Sequence, residues 1–331
     1  MRGTPGPLLR VEGLETYFEI RSGPLRRVTG AVRAADGVDI DVERGRTLAL
    51  VGESGCGKTT VGRSILGLER PRAGRIWFDG TDLLALRPAE LRPYRRRIQM
   101  VFQDPAAALD PRMRIRDAVA EGMSAFGIGS SSRDRTRRVV DLLERVKLDP
   151  GVVERYPHEL SGGQRQRVCI ARALAVDPEL IVCDESVSAL DVSIQAQILN
   201  LLADLQKERG LAYLFITHDL AVVRHIADRV AVMYLGQIVE DGPVERVFDA
   251  PMHPYSEGLL AAAPSPDPDA PARPVIVRGD VPSPARPPAG CRFHTRCPVA
   301  FSRCAQASPP PYPVQGGTSR CFLREEESRL G

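Results

Sequence analysis

Across 331 residues no apolar run approaches the roughly 18 positions that a membrane-spanning helix needs, so the chain is expected to reach a membrane only through other proteins. The N-terminus lacks the long apolar region of a secretory signal, which predicts a cytosolic chain. Charge of one sign is missing too: 45 Lys and Arg against 42 Asp and Glu give a formal +3, too little to argue for nucleic acid. The basic run Arg92-Pro93-Tyr94-Arg95-Arg96-Arg97 reads as a solvated helix face rather than a binding patch. No segment repeats another, so each motif is present once. The length and a hydrophobic content of 43% suit a large core and about two domains.

What is present is chemically specific. Gly52-Glu53-Ser54-Gly55-Cys56-Gly57-Lys58-Thr59 fits the pattern G-x-x-x-x-G-K-[ST] and follows the apolar run Leu48-Ala49-Leu50-Val51. A buried strand, a glycine-rich loop and a helix are therefore expected in succession. Gly52, Gly55 and Gly57 can take backbone angles closed to other residues, so successive N–H groups turn toward a polyphosphate. The helix beginning near Lys58 adds the partial positive charge of its N-terminus, and Thr60 lies in its first turn. Lys58 can reach the outer phosphates and the Thr59 hydroxyl can ligate magnesium. Ser54 and Cys56 contribute backbone; Cys56 reads as a small filler rather than a redox-sensitive thiol.

Leu180-Ile181-Val182-Cys183-Asp184-Glu185 reads as a buried parallel strand that delivers two carboxylates to its C-terminal edge, where open α/β sheets bind ligands. Most Asp-Glu pairs are solvated turn residues, but the preceding strand and the phosphate loop favour function here. Asp184 is expected in the magnesium shell, and Glu185 as the general base that orients the attacking water. His218 follows the apolar segment Tyr213-Leu214-Phe215-Ile216-Thr217 and is expected near the terminal phosphate and Glu185.

Between about 8 and 103, short apolar strands alternate with turns, including Val38 to Val42, Leu48 to Val51 and Ile76 to Phe78. Residues near 104 to 160 lack strand patterns, and Arg137 to Val146 has helical spacing, with Val139, Val140, Leu142, Leu143 and Val146 apolar. The α/β pattern then resumes through a hairpin around Gly236. The predicted fold class is α/β: a RecA-like P-loop domain with an antiparallel β edge and an inserted helical subdomain, followed by a small proline-rich extension with four cysteines.

From about Pro251 the composition shifts to Pro and Ala, and Pro264, Pro266, Pro268, Pro271 and Pro274 predict an extended linker. Cys291, Cys297, Cys304 and Cys321 follow. In a reducing cytosol a metal site is a stronger reading than disulfides. The spacing is wider than that of a usual zinc ribbon, and four thiolates suit an iron–sulfur cluster equally well, so zinc, a cluster and unligated thiols all remain open from the residues alone.

Taken in series, these motifs resemble the ATP-binding subunits of ABC transporters over essentially the whole chain. Added to the loop and the acid pair are Gln103 after Met100-Val101-Phe102, the signature Leu160-Ser161-Gly162-Gly163-Gln164, the segment Ser188-Ala189-Leu190-Asp191, and His218. The resemblance implies an ATP-binding domain over 1–250, with its helical subdomain at about 104–160, and an extension over 251–331. It implies that two subunits face each other head to tail, so that Ser161, Gly162, Gly163 and Gln164 of one, with Asp191, close over ATP held by the other. Gln103 is implied as a sensor of magnesium and water. Phe18 is implied as the adenine-stacking residue, with Tyr17 the adjacent alternative. Many relatives have Pro where this chain has Ser186, a position not expected to carry chemistry.

His253-Pro254-Tyr255, Gly279-Asp280-Val281-Pro282-Ser283-Pro284 and the run Cys291-Arg292-Phe293-His294-Thr295-Arg296-Cys297 look like the C-terminal extension of oligopeptide and dipeptide importer ATPases. That subfamily implies a [4Fe–4S] cluster on the four cysteines, with His294 outside it. It also implies a second ATPase subunit, two transmembrane permease subunits, an extracytoplasmic binding protein and a place on the cytoplasmic face of the membrane. The rival expectations are a soluble ABC ATPase acting on ribosomes or DNA, an exporter subunit, and an importer of nickel chelates.

Overall fold

A computed structural model of the chain describes residues 6–24, 26–188, 190–262, 277 and 279–325. The strands are β1 (Leu9–Ser22), β2 (Arg27–Val42), β3 (Thr47–Val51), β4 (Ala73–Phe78), β5 (Thr81–Asp82), β6 (Ile98–Val101), β7 (Leu180–Asp184), β8 (Ala212–Thr217), β9 (Arg229–Tyr234), β10 (Gln237–Pro243), β11 (Tyr312–Val314) and β12 (Gly317–Ser319). The chain forms two compact units, one of Met1–Val42, Thr47–Leu84 and Ile216–Gly331, the other of Glu43–Arg46 and Ala85–Phe215.

In the first unit, β1 pairs antiparallel with β2 and with β4, in the order β2-β1-β4-β5. This is the antiparallel edge expected from the sequence. Leu9, Val11, Leu14 and Thr16 of β1 point inward, and the alternation slips where the register shifts between Val11 and Leu14, around Gly13. A second group of strands runs β11-β12-β10-β9-β3. All five residues of β3 are buried and pair in parallel with β9, as the unbroken apolar run predicts. Each fully buried Leu or Val in it contributes about 1.5–3 kcal/mol. β9 and β10 form a hairpin whose turn residues, Leu235 and Gly236, both have positive φ, 42° and 83°.

The tail departs from the sequence expectation. Instead of an extended segment from Pro251, a helix spans Pro254–Ala261, with Pro254 at a position where its missing N–H costs nothing. His253 caps it: burial pushes the pKa of His253 down to about 3, and Nδ1 of the neutral ring accepts the Tyr255 N–H at 3.0 Å. The buried Glu240 carboxylate accepts the N–H groups of Met252 and His253 at 2.8 and 2.9 Å and pairs with Arg246. Farther on, β12 pairs with β10 and β11 with β12, so the tail adds strands that its composition did not announce. The proline-rich linker expected over Pro264 to Pro274 lies outside the described residues.

The second unit carries the expected helices. Ser132–Arg145 buries Val139, Leu142 and Leu143 on one face and is capped by Ser131, whose Oγ accepts the Asp134 N–H at 3.1 Å. Ile115–Ala125, Gly162–Leu174 and Val192–Arg209 are further long helices of this unit. β6 and β7 pair in parallel, in the order β8-β7-β6. The basic run lies on the helix Pro88–Arg97, which buries none of its residues. Its last arginines are engaged locally: Arg97 Nη2 donates to Glu179 at 2.9 Å, and Arg96 Nε to the Val176 carbonyl at 2.9 Å.

Candidate nucleotide-binding site

The chemistry-bearing segments each follow the C-terminal end of a strand: the glycine-rich loop after β3, Gln103 after β6, Asp184 and Glu185 at β7, and His218 after β8. In the loop, Gly52, Gly55 and Gly57 have φ of 152°, 78° and 112°, values that side-chain-bearing residues rarely adopt. Space adds a second constraint. A Cβ on Gly52 would lie 2.1 Å from the Met233 carbonyl oxygen, and one on Gly57 1.8 Å from that of Ala34. Nothing lies within 4 Å of a Cβ on Gly55, so only backbone strain constrains that position.

Lys58 is buried at the start of the helix Lys58–Ile65, and its Nζ donates to the carbonyls of Gly52 and Glu53 at 2.8 and 3.0 Å. The ammonium is thus held at the mouth of the loop by the loop's own backbone. Ser54 is exposed, while Thr59 and Thr60 are half-buried in the helix's first turn. Burial raises the pKa of the Cys56 thiol, which suits a filler rather than a reactive group.

Glu53 was only a variable position in the motif, yet it has specific partners. Its N–H donates to Tyr255 Oη at 3.0 Å, and its carboxylate receives Arg296 Nη1 at 2.9 Å and Nη2 at 3.1 Å. Burial works against the charge of Arg296, but its hydrogen bonds to Glu53 and Tyr234 outweigh this and hold its pKa above the ordinary value. No local signal marked this pairing, since the partners lie 243 positions apart.

Of the two aromatic candidates on β1, Tyr17 is committed: its hydroxyl donates to Asp36, and the guanidinium groups of Arg72 and Arg33 lie 5.2 and 5.8 Å from its ring centroid. Phe18 is 40% exposed, so its ring is not committed to the core.

In the second unit, Gln103 Nε2 donates to Glu185 Oε2 at 2.8 Å, bringing together two of the predicted residues. Glu185 has φ of 43°, uncommon for a residue with a side chain, and its carbonyl accepts from the Ser188 N–H and Oγ at 3.2 and 2.9 Å. Asp184 is buried; His218, which belongs to the first unit, is exposed. Ser161 and Gln164 form a reciprocal cap on the helix Gly162–Leu174, Ser161 Oγ taking the Gln164 N–H at 3.3 Å and Gln164 Oε1 the Ser161 N–H at 3.0 Å. The signature turn abuts the segment ending in Asp191. A Cβ on Gly163 would meet Ile194 Cγ2 at 2.7 Å, and one on Gly162 would meet Leu190 Cδ2 at 3.8 Å.

Comparison with known proteins agrees with this layout. Residues 35–188 match the family model for the ABC transporter, and residues 239–304 that for the oligopeptide/dipeptide transporter C-terminal region. A protein of Brucella ovis named for peptide import and ATP binding is 51% identical over 322 residues, 97% of this chain and 99% of its own length. The chain belongs to the ABC transporter ATP-binding proteins. Among other ABC relatives, the oligopeptide transport ATP-binding proteins AppF of Bacillus subtilis and OppF of Escherichia coli are 49% and 48% identical, each covering 91% of this chain and 92% of the relative. Among solved structures, the dimeric ATP-binding cassette MJ0796, in a post-hydrolysis state bound to ADP and Pi, superimposes with a TM-score of 0.64. It is 28% identical and covers 71% of this chain and 98% of that one.

The four tail cysteines belong to the first unit and line one partly open pocket with His253, Phe293 and Phe322. None of the seven cysteines is in a disulfide. Burial pushes the Cys291 thiol up to about 11 and raises Cys297 and Cys321 as well. Among the described residues, no three His, Cys, Asp or Glu side chains come close enough to share a single metal ion.

The loop geometry predicts a ranking of glycine substitutions. Gly57→Ala and Gly52→Ala should abolish nucleotide binding and lower the melting temperature, because each combines positive-φ strain with a backbone clash. Gly55→Ala should cost only the strain, about 1–2 kcal/mol, and keep measurable binding. Thermal melts and nucleotide titrations of the three variants check the order.

Proposed function

We infer that this chain is the ATP-binding and ATP-hydrolysing subunit of an ABC importer that takes up peptides. The observation that carries the reading is similarity over 97% of the chain to a relative named for peptide import, across both the cassette and the extension. Among the described residues no helix is long and apolar enough to cross a membrane, which suits a peripheral subunit on the cytoplasmic face. Its partners in this reading are a second ATPase subunit, two transmembrane permease subunits and an extracytoplasmic binding protein. The dimeric state of the MJ0796 cassette supports pairing of the ATPase subunits.

In the reaction, residues 52–60 cradle the phosphates, with backbone N–H groups and the helix N-terminus facing the oxygens and Lys58 neutralising charge. Thr59 and Asp184 supply hydroxyl and carboxylate oxygens, hard donors of the type magnesium prefers. When bound, that ion offsets the charge that builds on the transferring phosphate. Glu185 orients a water and takes its proton as the water oxygen attacks the terminal phosphorus; the bond to the bridging oxygen breaks, leaving ADP and phosphate. Gln103 holds Oε2 of Glu185 and so helps to orient the carboxylate toward the water. His218 contacts the terminal phosphate, and Phe18 stacks on adenine. The Ser161–Gly163 turn and Asp191 act in trans, a capped helix N-terminus aimed at the partner's nucleotide.

The same reading puts a [4Fe–4S] cluster on Cys291, Cys297, Cys304 and Cys321. Support comes from the donor set: four thiols line one pocket, and four thiolates are the ligand set that such a cluster takes. Its part here is to staple a small, loop-rich extension.

Glu185→Gln should keep ATP binding but lower turnover by at least about a hundredfold, as loss of a general base does. Turnover at the parental rate would contradict the assignment. Protein purified without oxygen should contain about four iron and four acid-labile sulfide per chain and lose both in Cys297→Ser; one zinc per chain would contradict the cluster.

A further inference from the structure

Every polar group of Glu53 is held. Its N–H is bound by Tyr255 Oη, its carbonyl by Lys58, and its carboxylate by Arg296, whose Nη1 lies 2.9 and 3.2 Å from the two carboxylate oxygens. Two of these three partners come from the C-terminal region, and both are anchored in one aromatic cluster. Tyr234 and Tyr255 ring centroids are 4.6 Å apart, and Phe293 lies 5.3 and 5.4 Å from them. Arg296 is nearly buried, lies 5.8 Å over the Tyr234 ring and donates to its hydroxyl at 3.4 Å. Tyr255 and Phe293 share a hydrophobic core with Ala49 and Val51 of β3, the strand that leads into the loop.

Charge explains why a phosphate-binding loop needs such a partner. Glu53 places a carboxylate beside a site for polyanions, where it would repel them if left alone. Arg296 neutralises it through a two-pronged pair and fixes the carboxylate on the side of the extension. A second arginine from the same turn, Arg292, pairs with Asp36 and donates to the Leu235 carbonyl, and Asp36 in turn accepts the hydroxyl of Tyr17, next to Phe18.

We propose that Arg296 and Tyr255 are positioning residues for the phosphate loop, acting through Glu53, so that the C-terminal extension is a working part of the nucleotide site. The proposal rests on reading residues 52–60 as the place where ATP phosphates bind. It makes ATP affinity depend on residues about 200 positions beyond the motif.

The test is equilibrium binding of Mg·ATP to the full chain, with thermal melts run alongside. Arg296→Gln should raise Kd about tenfold, and Tyr255→Phe, which removes a single oxygen and keeps the ring, about threefold. Arg296→Lys should recover most of the loss. The double variant Glu53→Gln with Arg296→Gln should bind better than Arg296→Gln alone, because the uncompensated carboxylate has gone. In steady-state assays of the assembled transporter, KM for ATP should rise while kcat at saturation stays near the parental value. Parental affinity in both Arg296→Gln and Tyr255→Phe, or a double variant as weak as Arg296→Gln, would overturn the proposal. Lys58→Ala serves as the reference: if it binds Mg·ATP as the parent does, the reading of the loop itself fails, independently of Arg296.

Discussion

The close approach of the phosphate loop to the backbone beneath it is the constraint on which the rest depends. Gly52 and Gly57 lie so near the carbonyls of Met233 and Ala34 that no side chain fits, and both have positive φ. Met233 belongs to β9, which pairs with β3 in parallel, and Ala34 to β2 of the antiparallel sheet. The loop is therefore wedged against two separate pieces of sheet. Its hydrogen-bonding shape is fixed before any ligand arrives, which is what electrostatic stabilisation of a developing charge requires.

A different kind of constraint acts at Glu185. Its backbone is in a conformation that side-chain-bearing residues seldom take, its carbonyl is held by Ser188 and its carboxylate by Gln103. Strain of this kind persists only where neighbours over-determine it, and it gathers at functional positions. Gln103 comes from the loop after β6, so a residue that begins the helical region directly orients the proposed base. Any shift of that segment would move the carboxylate with it, giving a physical route between the helical region and the chemistry.

The parts of the fold that were legible in the sequence are contiguous and periodic. β3 and β7 announced themselves as short apolar runs ending in chemistry, and the helix Ser132–Arg145 by its spacing, because burial on two faces or on one stripe dictates residue type locally. Residues 52–59 were legible for the same reason: one turn of backbone performs the binding. The tail was not. The helix Pro254–Ala261 is short and carries a proline, and β11 and β12 have three residues each, too few for a pattern. The bonds of Glu53 to Arg296 and Tyr255 join residues more than 200 positions apart, which no local spacing can reveal. The cysteines could be counted but their convergence on one pocket could not.

The central claim, that this chain supplies ATP hydrolysis to a peptide importer, is tested most directly by identifying what it assembles with. The measurement is mass spectrometry of everything retained by the tagged full chain from mildly solubilised membranes, with magnesium and a slowly hydrolysed nucleotide present. The account predicts two multi-span membrane proteins and a second ATPase subunit in the retained complex. Ribosomal proteins or nucleic acid, without membrane proteins, would contradict it.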